Sequence, residues 1–121
     1  MILLEGLSHI SIGTSDLARS ITFYRDLLDF EVVEEDSDFA LLRLDPVTLR
    51  LNFIENYSES AKSPGEHCMS FVLDVDDFTN AITDLEENKI EILEGPVPID
   101  GGESVLIADP DGNFIELSYT E

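Results

Sequence analysis

The sequence predicts an α+β fold made of two strand–helix–three-strand modules within one domain, residues 1–121. Three observations predict it. Apolar spacing switches from period two to period 3.6 and back again in each half of the chain. The order of these segments is the same in both halves. A polar stretch without periodicity separates them.

Residues 7–12, Leu-Ser-His-Ile-Ser-Ile, alternate like a strand. Thr14, Ser15 and Asp16 offer helix caps, and Leu17, Ile21, Tyr24 and Leu28 form one apolar helix face ending near Leu28. Strand-like runs follow at 30–35, 39–44 and 47–54, with Asp45-Pro46 as the turn before the last. The second half repeats the plan. Residues 67–75 read as a strand, and Asp76 or Asp77 caps a helix whose apolar face is Phe78, Ala81, Ile82 and Leu85. Strands are expected at 90–97, 103–108 and 113–119, with Gly101-Gly102 and Asp109-Pro110-Asp111-Gly112 as turns. Module one therefore spans about 1–55 and module two 67–121, joined by a linker at 56–66 that contains Pro64 and Gly65. Each module has one helix to cover its sheet, so neither is expected to bury its apolar face alone. The linker is long enough to permit exchange of modules between two subunits.

Strand side chains alternate between faces. Ile10 and Ile12 share one face of the first strand, and His9 and Ser11 the other. Leu49, Leu51 and Phe53 oppose Thr48, Arg50 and Asn52, while Ile115, Leu117 and Tyr119 oppose Phe114, Glu116 and Ser118. His67 shares a parity with Met69 and Phe71. If the apolar sets pack under the helices, the other face of a curved sheet collects His9, Ser11, Arg50, Asn52, His67 and Glu116, with Met69 and Phe71 beside them. That mixture suits a small-molecule pocket.

Composition narrows the partners. Six basic residues face 27 acidic ones, a formal net charge of −21, so nucleic acid is an unfavourable partner. The charge reads either as a strongly solvated surface or as attraction for a cationic ligand. No apolar run approaches a membrane span, and the start Met1-Ile2-Leu3-Leu4-Glu5 lacks the basic region of a secretory signal. The single cysteine, Cys68, excludes an internal disulfide and fits a reducing, cytoplasmic setting. The Asn56-Tyr57-Ser58 sequon carries little weight without a sign of secretion. Cys68 has the opposite parity to His67, which argues against a Cys–His nucleophile.

Three segments in order carry a resemblance. The first strand with His9 precedes Ser15-Asp16-Leu17-Ala18-Arg19-Ser20-Ile21-Thr22-Phe23-Tyr24, Gly65-Glu66-His67 opens the second module, and Asp109-Pro110-Asp111-Gly112-Asn113-Phe114-Ile115-Glu116-Leu117 closes the chain. Together they resemble the vicinal-oxygen-chelate superfamily, the glyoxalase, bleomycin-resistance and extradiol-dioxygenase group. The resemblance implies a cupped, largely antiparallel eight-stranded sheet with helices outside, and a homodimer. It also implies a divalent cation (Mn, Fe, Ni, Co or Zn) held by His9, His67 and Glu116. Two His and one carboxylate leave coordination positions open for a substrate oxygen.

The function implied is a metalloenzyme acting on a small oxygen-bearing molecule by lyase, isomerase, transferase or dioxygenase chemistry, with glutathione or another thiol as a co-substrate in some members. The alternative is a metal-free protein of the bleomycin-resistance type that sequesters a small, cationic ligand. Arg50 bears on the choice. Aligning Leu49-Arg50-Leu51 with Ile115-Glu116-Leu117 puts Arg50 where lactoylglutathione-type members carry a fourth ligand, and a guanidinium cannot ligate a cation. Arg50 either pairs with Glu116 in place of a metal or clamps an anionic group of the substrate. The fosfomycin-resistance thiol transferases of this superfamily use a three-ligand set and a Thr where Ser11 stands. Their cluster of basic residues for phosphonate has no counterpart among the two lysines, Lys62 and Lys89.

Overall fold

The computed structural model describes residues 1–57 and 68–121. Most of the expected linker, the end of the sequon and His67 lie outside the described residues. The chain divides into two compact units, Met1–Ser58 and Glu59–Glu121. Each contains one strand, one helical segment and three further strands, so the α+β class and the repeated order are as the sequence predicts.

Unit one contains β1 (Ile10–Thr14), α1 (Leu17–Thr22), β2 (Glu31–Glu35), β3 (Phe39–Leu44) and β4 (Val47–Phe53). Its sheet order is β1-β4-β3-β2, with β1 parallel to β4 and the other two pairs antiparallel. Unit two contains β5 (Met69–Val72), α2 (Val75–Glu87), β6 (Glu94–Ile99), β7 (Gly102–Ala108) and β8 (Phe114–Thr120). Its order, β5-β8-β7-β6, repeats the first with β5 parallel to β8. Each sheet is thus mixed, with two antiparallel pairings to one parallel. The helix of each module connects two strands that do not pair with each other, because the last strand of the module enters beside its first.

The core of unit one follows the apolar parity. Ala40, Leu42, Leu49 and Leu51 are fully buried, and register places Ala40 beside Leu51 and Leu42 beside Leu49. Ile10 and Ile12 extend the same face across the parallel pair. The helix α1 packs on β3 and β4. Asp16 caps it, accepting from the Arg19 amide at 3.1 Å. The helix does not run to Leu28 as a single α-helix; residues Phe23–Leu27 form a π-helical turn. The wider turn brings both Phe23 and Tyr24 into the core, where a 3.6 period would bury one of them. Phe53 departs from the expected stripe and is 44% exposed, since it ends β4 beyond the buried part of the sheet.

Three boundaries differ from expectation. The first strand begins at Ile10, where pairing with Leu49 starts, and continues through Gly13 and Thr14 to Phe53. Alternation alone cannot mark where a partner strand begins. The second helix starts earlier than expected: Asp74 is its cap, accepting from the Asp76 amide at 3.0 Å, and Asp76 and Asp77 occupy the first turn. Acidic side chains there face the positive end of the helix dipole. The sixth strand runs Glu94–Ile99 instead of 90–97, because Ile90 is still tied to Leu85 at the helix exit by a 2.8 Å backbone bond. Pro96 lacks an amide donor and fits this edge strand, where the register shifts between Glu94 and Val97.

In unit two Val105, Ile107, Ile115 and Leu117 fill the core face, and Phe78 and Leu85 of α2 are buried. The helix α2 packs on β8, with Phe78 set edge-on against Tyr119, ring centroids 4.9 Å apart. The turn into β8 is pinned by Asp109. Its Oδ1 accepts from the amides of Asp111 at 3.0 Å and Asn113 at 2.9 Å, and its Oδ2 accepts from Asn113 Nδ2 at 2.8 Å. Gly112 completes the turn at φ 90°, a conformation costly for a side chain. These bonds set where β8 starts, and so which face Glu116 takes.

Candidate metal centre

The candidate residues fall into two groups, one in each unit. In unit one Arg50 lies on the face opposite Leu49 and Leu51 and is half-buried. Ser11 is its register neighbour across the parallel pair, and Leu41 its neighbour on β3. The Arg50 Nε donates to Asn52 Oδ1 at 2.8 Å, and the guanidinium carbon sits 4.0 Å from the centroid of the Phe39 ring. A cation over an aromatic face is held electrostatically as well as by packing. The side chain is therefore positioned without a carboxylate: among the described residues, no acidic group is within ion-pair distance of it. The expected grouping of Ser11, Arg50 and Asn52 on one face is what the structure shows.

His9 precedes β1 by one residue and is exposed. Its Nδ1 lies 3.1 Å from Ser8 Oγ. If Nδ1 donates there, Nε2 keeps its lone pair for a cation, the usual division of labour on a ligating imidazole.

In unit two Glu116 stands between the buried Ile115 and Leu117, on the opposite face and half-exposed. Ser70, its register neighbour on β5, donates from Oγ to Glu116 Oε1 at 2.6 Å. Among the described residues no cation pairs with this carboxylate. Register decides the other strand-five residues differently from the sequence reading. Met69 lies beside Ile115 and Phe71 beside Leu117, on the core face and away from Glu116. Ser70, which parity had set opposite His67, is the residue that meets Glu116. The signal for it was present in the repeat, since Ser70 and Ser11 hold matching places beside Glu116 and Arg50.

Cys68 also belongs to this side. Burial first, and then the nearby Glu116 carboxylate, push its thiol above the ordinary cysteine value. A raised value means less thiolate at any pH. In metal-free protein the alkylation of Cys68 by iodoacetamide is therefore expected to reach half its limiting rate above about pH 8.5, the ordinary midpoint of a free thiol. Glu116→Gln removes the repulsion and should move that midpoint down, read by mass spectrometry against pH. No movement would mean that the carboxylate does not act on the thiol.

Each unit offers one donor of a type that divalent cations take: in unit one the imidazole of His9, and in unit two the carboxylate of Glu116, with one oxygen held by the Ser70 hydroxyl. Within the described residues no three His, Cys, Asp or Glu side chains come together as a ready-made site. Arg50 occupies the position in unit one that Glu116 holds in unit two, and a guanidinium cannot ligate a cation.

A repeated strand–helix–three-strand unit whose last strand enters parallel beside its first defines the class of fold. The pattern of the Glyoxalase/Bleomycin resistance protein/Dioxygenase superfamily matches residues 6–117, and the chain belongs to that superfamily. It is 32% identical over 116 residues to the metallothiol transferase FosB of Staphylococcus haemolyticus, covering 95% of this chain and 84% of that protein. The crystal structure of a glyoxalase/dioxygenase from Nostoc punctiforme is similar at a TM-score of 0.83 and 25% identity, covering 100% of this chain and 97% of that one. The fosfomycin resistance protein FosX of Listeria monocytogenes shares the fold at a TM-score of 0.84 and 17% identity, covering 98% and 96% of the two chains. Among the described residues no helix is long and apolar enough to cross a membrane.

Proposed function

We propose that this chain is a metal-dependent enzyme of the superfamily that acts on a small oxygen-bearing molecule. The ligands of a divalent cation in this reading are His9, His67 and Glu116, the set that the resemblance implies. The observation that carries the reading is Glu116: a carboxylate on the non-core face, oriented by Ser70 and unpaired with any cation among the described residues.

Among the reaction classes open to the superfamily, thiol transfer is the one that the FosB relationship favours. A small thiol is then the co-substrate, and the cation when bound polarises the substrate oxygen. Arg50 supplies what the fourth corner then needs, a planar pair of donors for an anionic group of the substrate. The scarcity of lysine makes fosfomycin itself a poor match. The two units work as one domain in this reading, in a cytoplasmic homodimer.

Metal analysis of protein purified without chelator tests the reading directly. About one equivalent of cation per chain, and a rise in melting temperature on adding Mn, Fe, Co, Ni or Zn, is the expected result. Failure of all five to bind or stabilise overturns it, and would leave a metal-free sequestering protein as the better description. Arg50→Glu gives a second check. A carboxylate at the vacant fourth corner should tighten cobalt binding by about tenfold, one favourable contact of about 1.4 kcal/mol, while turnover falls. Unchanged affinity in calorimetry would place Arg50 off the centre.

A further inference from the structure

The outer face of the first sheet holds one guanidinium in a defined attitude. Arg50 Nε donates to Asn52 Oδ1 at 2.8 Å, and the Phe39 ring lies against the guanidinium carbon at 4.0 Å. Among the described residues its two Nη groups have no partner. Register puts Phe39 directly across from Asn52 on β3, and Gly13 directly across from it on β1. A Cβ at Gly13 would come 2.5 Å from Tyr57 Cε1, so the Tyr57 ring rests on bare backbone there. Asn52 thus has an aromatic residue on each side. The strands of this sheet carry one other cation, Arg43, and it is already committed. Its Nη2 lies 2.6 Å from Asp45 Oδ1, and its Nη1 donates to Thr48 Oγ1 at 3.2 Å.

We infer that this face takes a flat monocarboxylate, clamped by the Nη1–Nη2 edge of Arg50, and that Phe39 and Asn52 are the residues that position the clamp. It rests on Arg50 being the anion clamp of the proposed enzyme and specifies which anion. Asn52 occupies Nε, so the side-on fork of Nε with one Nη is taken. The end-on fork remains, two parallel N–H donors for two coplanar oxygens. Phe39 holds the cation against the sheet. A carboxylate has two oxygens and one charge, and this fork answers both. A dianionic phosphonate brings a third oxygen and a second charge. Arg43 is occupied, and the net charge of −21 repels a dianion more strongly than a monoanion. The aromatic residues beside Asn52 favour a flat ligand body, on which a ring can stack.

Benzoate, phenylphosphonate and benzamide are the probes, since they share a ring and differ in the head group. Each is titrated into the full-length protein, with and without cobalt, and followed by calorimetry and by the NMR signal of the Arg50 Nε–H. Benzoate is expected to bind at least about tenfold more tightly than the other two, with or without cobalt. Arg50→Gln should weaken benzoate at least about tenfold. Phe39→Leu and Asn52→Ala should each weaken it about threefold or more, and Phe39→Tyr should restore it, because a ring face holds the cation. Asn52→Asp keeps the acceptor for Nε but neutralises the guanidinium, so benzoate should weaken about tenfold while the Nε–H signal persists.

Benzoate affinity unchanged in Arg50→Gln, or no benzoate binding in either state, overturns the inference. Phenylphosphonate bound as tightly as benzoate overturns the choice of carboxylate, and full affinity in both Phe39→Leu and Asn52→Ala overturns the positioning roles. The metal centre is judged separately. Benzoate held through Arg50 in protein that takes up no cobalt upholds this inference while the metal centre falls. Benzoate bound only with cobalt, and equally well in Arg50→Gln, does the reverse.

Discussion

Glu116→Gln is expected to lower cobalt affinity by more than about 100-fold, beyond the range of about 10–100-fold seen when groups behind a ligand are changed. The substitution is a narrow one. Glutamine keeps the volume, and its carbonyl oxygen can still accept the hydrogen bond from Ser70 Oγ. What disappears is the negative charge and the second anionic oxygen. The metal-free variant should unfold at the same denaturant concentration as wild type or slightly higher, since one carboxylate fewer relieves self-repulsion in a chain with 27 acidic and six basic residues. The cation-induced rise in melting temperature should vanish with the affinity. Calorimetry together with a urea melt separates the two effects. A Gln variant that binds cobalt as wild type does would remove Glu116 from the ligand set.

The largest loss of stability in unit one is expected from Leu49→Ala. Leu49 is fully buried, with Leu42 beside it on β3 and Ile10 beside it on β1. Truncation removes apolar contacts from a site where two strands already fix the backbone, so the cavity cannot collapse fully. The expected cost is about 2–5 kcal/mol, against a total of about 5–15 kcal/mol for a typical protein. Phe53→Ala, at the exposed end of the same strand, should cost less than about 1 kcal/mol despite the larger side chain. Urea unfolding of both variants tests the ranking, and a reversed order would contradict the packing of this sheet. The position also matters for function. Arg50 is held on the outer face by the burial of its neighbours, and any slip by one residue would turn it into the core.

The sequence by itself determined the order of elements and the inner face of most strands. Period-two alternation in 47–54 and 113–119 separates Leu49 and Leu51 from Arg50, and Ile115 and Leu117 from Glu116, without knowledge of any neighbour. The repeat carried further, aligning Arg50 with Glu116. Helix 75–87 was legible from its apolar spacing, but its cap was not: Asp74, Asp76 and Asp77 are all competent, and the choice depends on where β5 stops pairing with β8.

Only the tertiary structure decided how strands stand against one another. Alternation assigns parity within a strand and says nothing about which parity of the next strand shares its face. That relation is set by the backbone hydrogen bonds of the ladder, which pair Ser70 with Glu116 and send Met69 and Phe71 to the core. It is also why Ser70, unremarkable in the sequence, stands beside the carboxylate. Burial of Ile115 and Leu117 fixes the face of β8, and the parallel register with β5 then selects its companions.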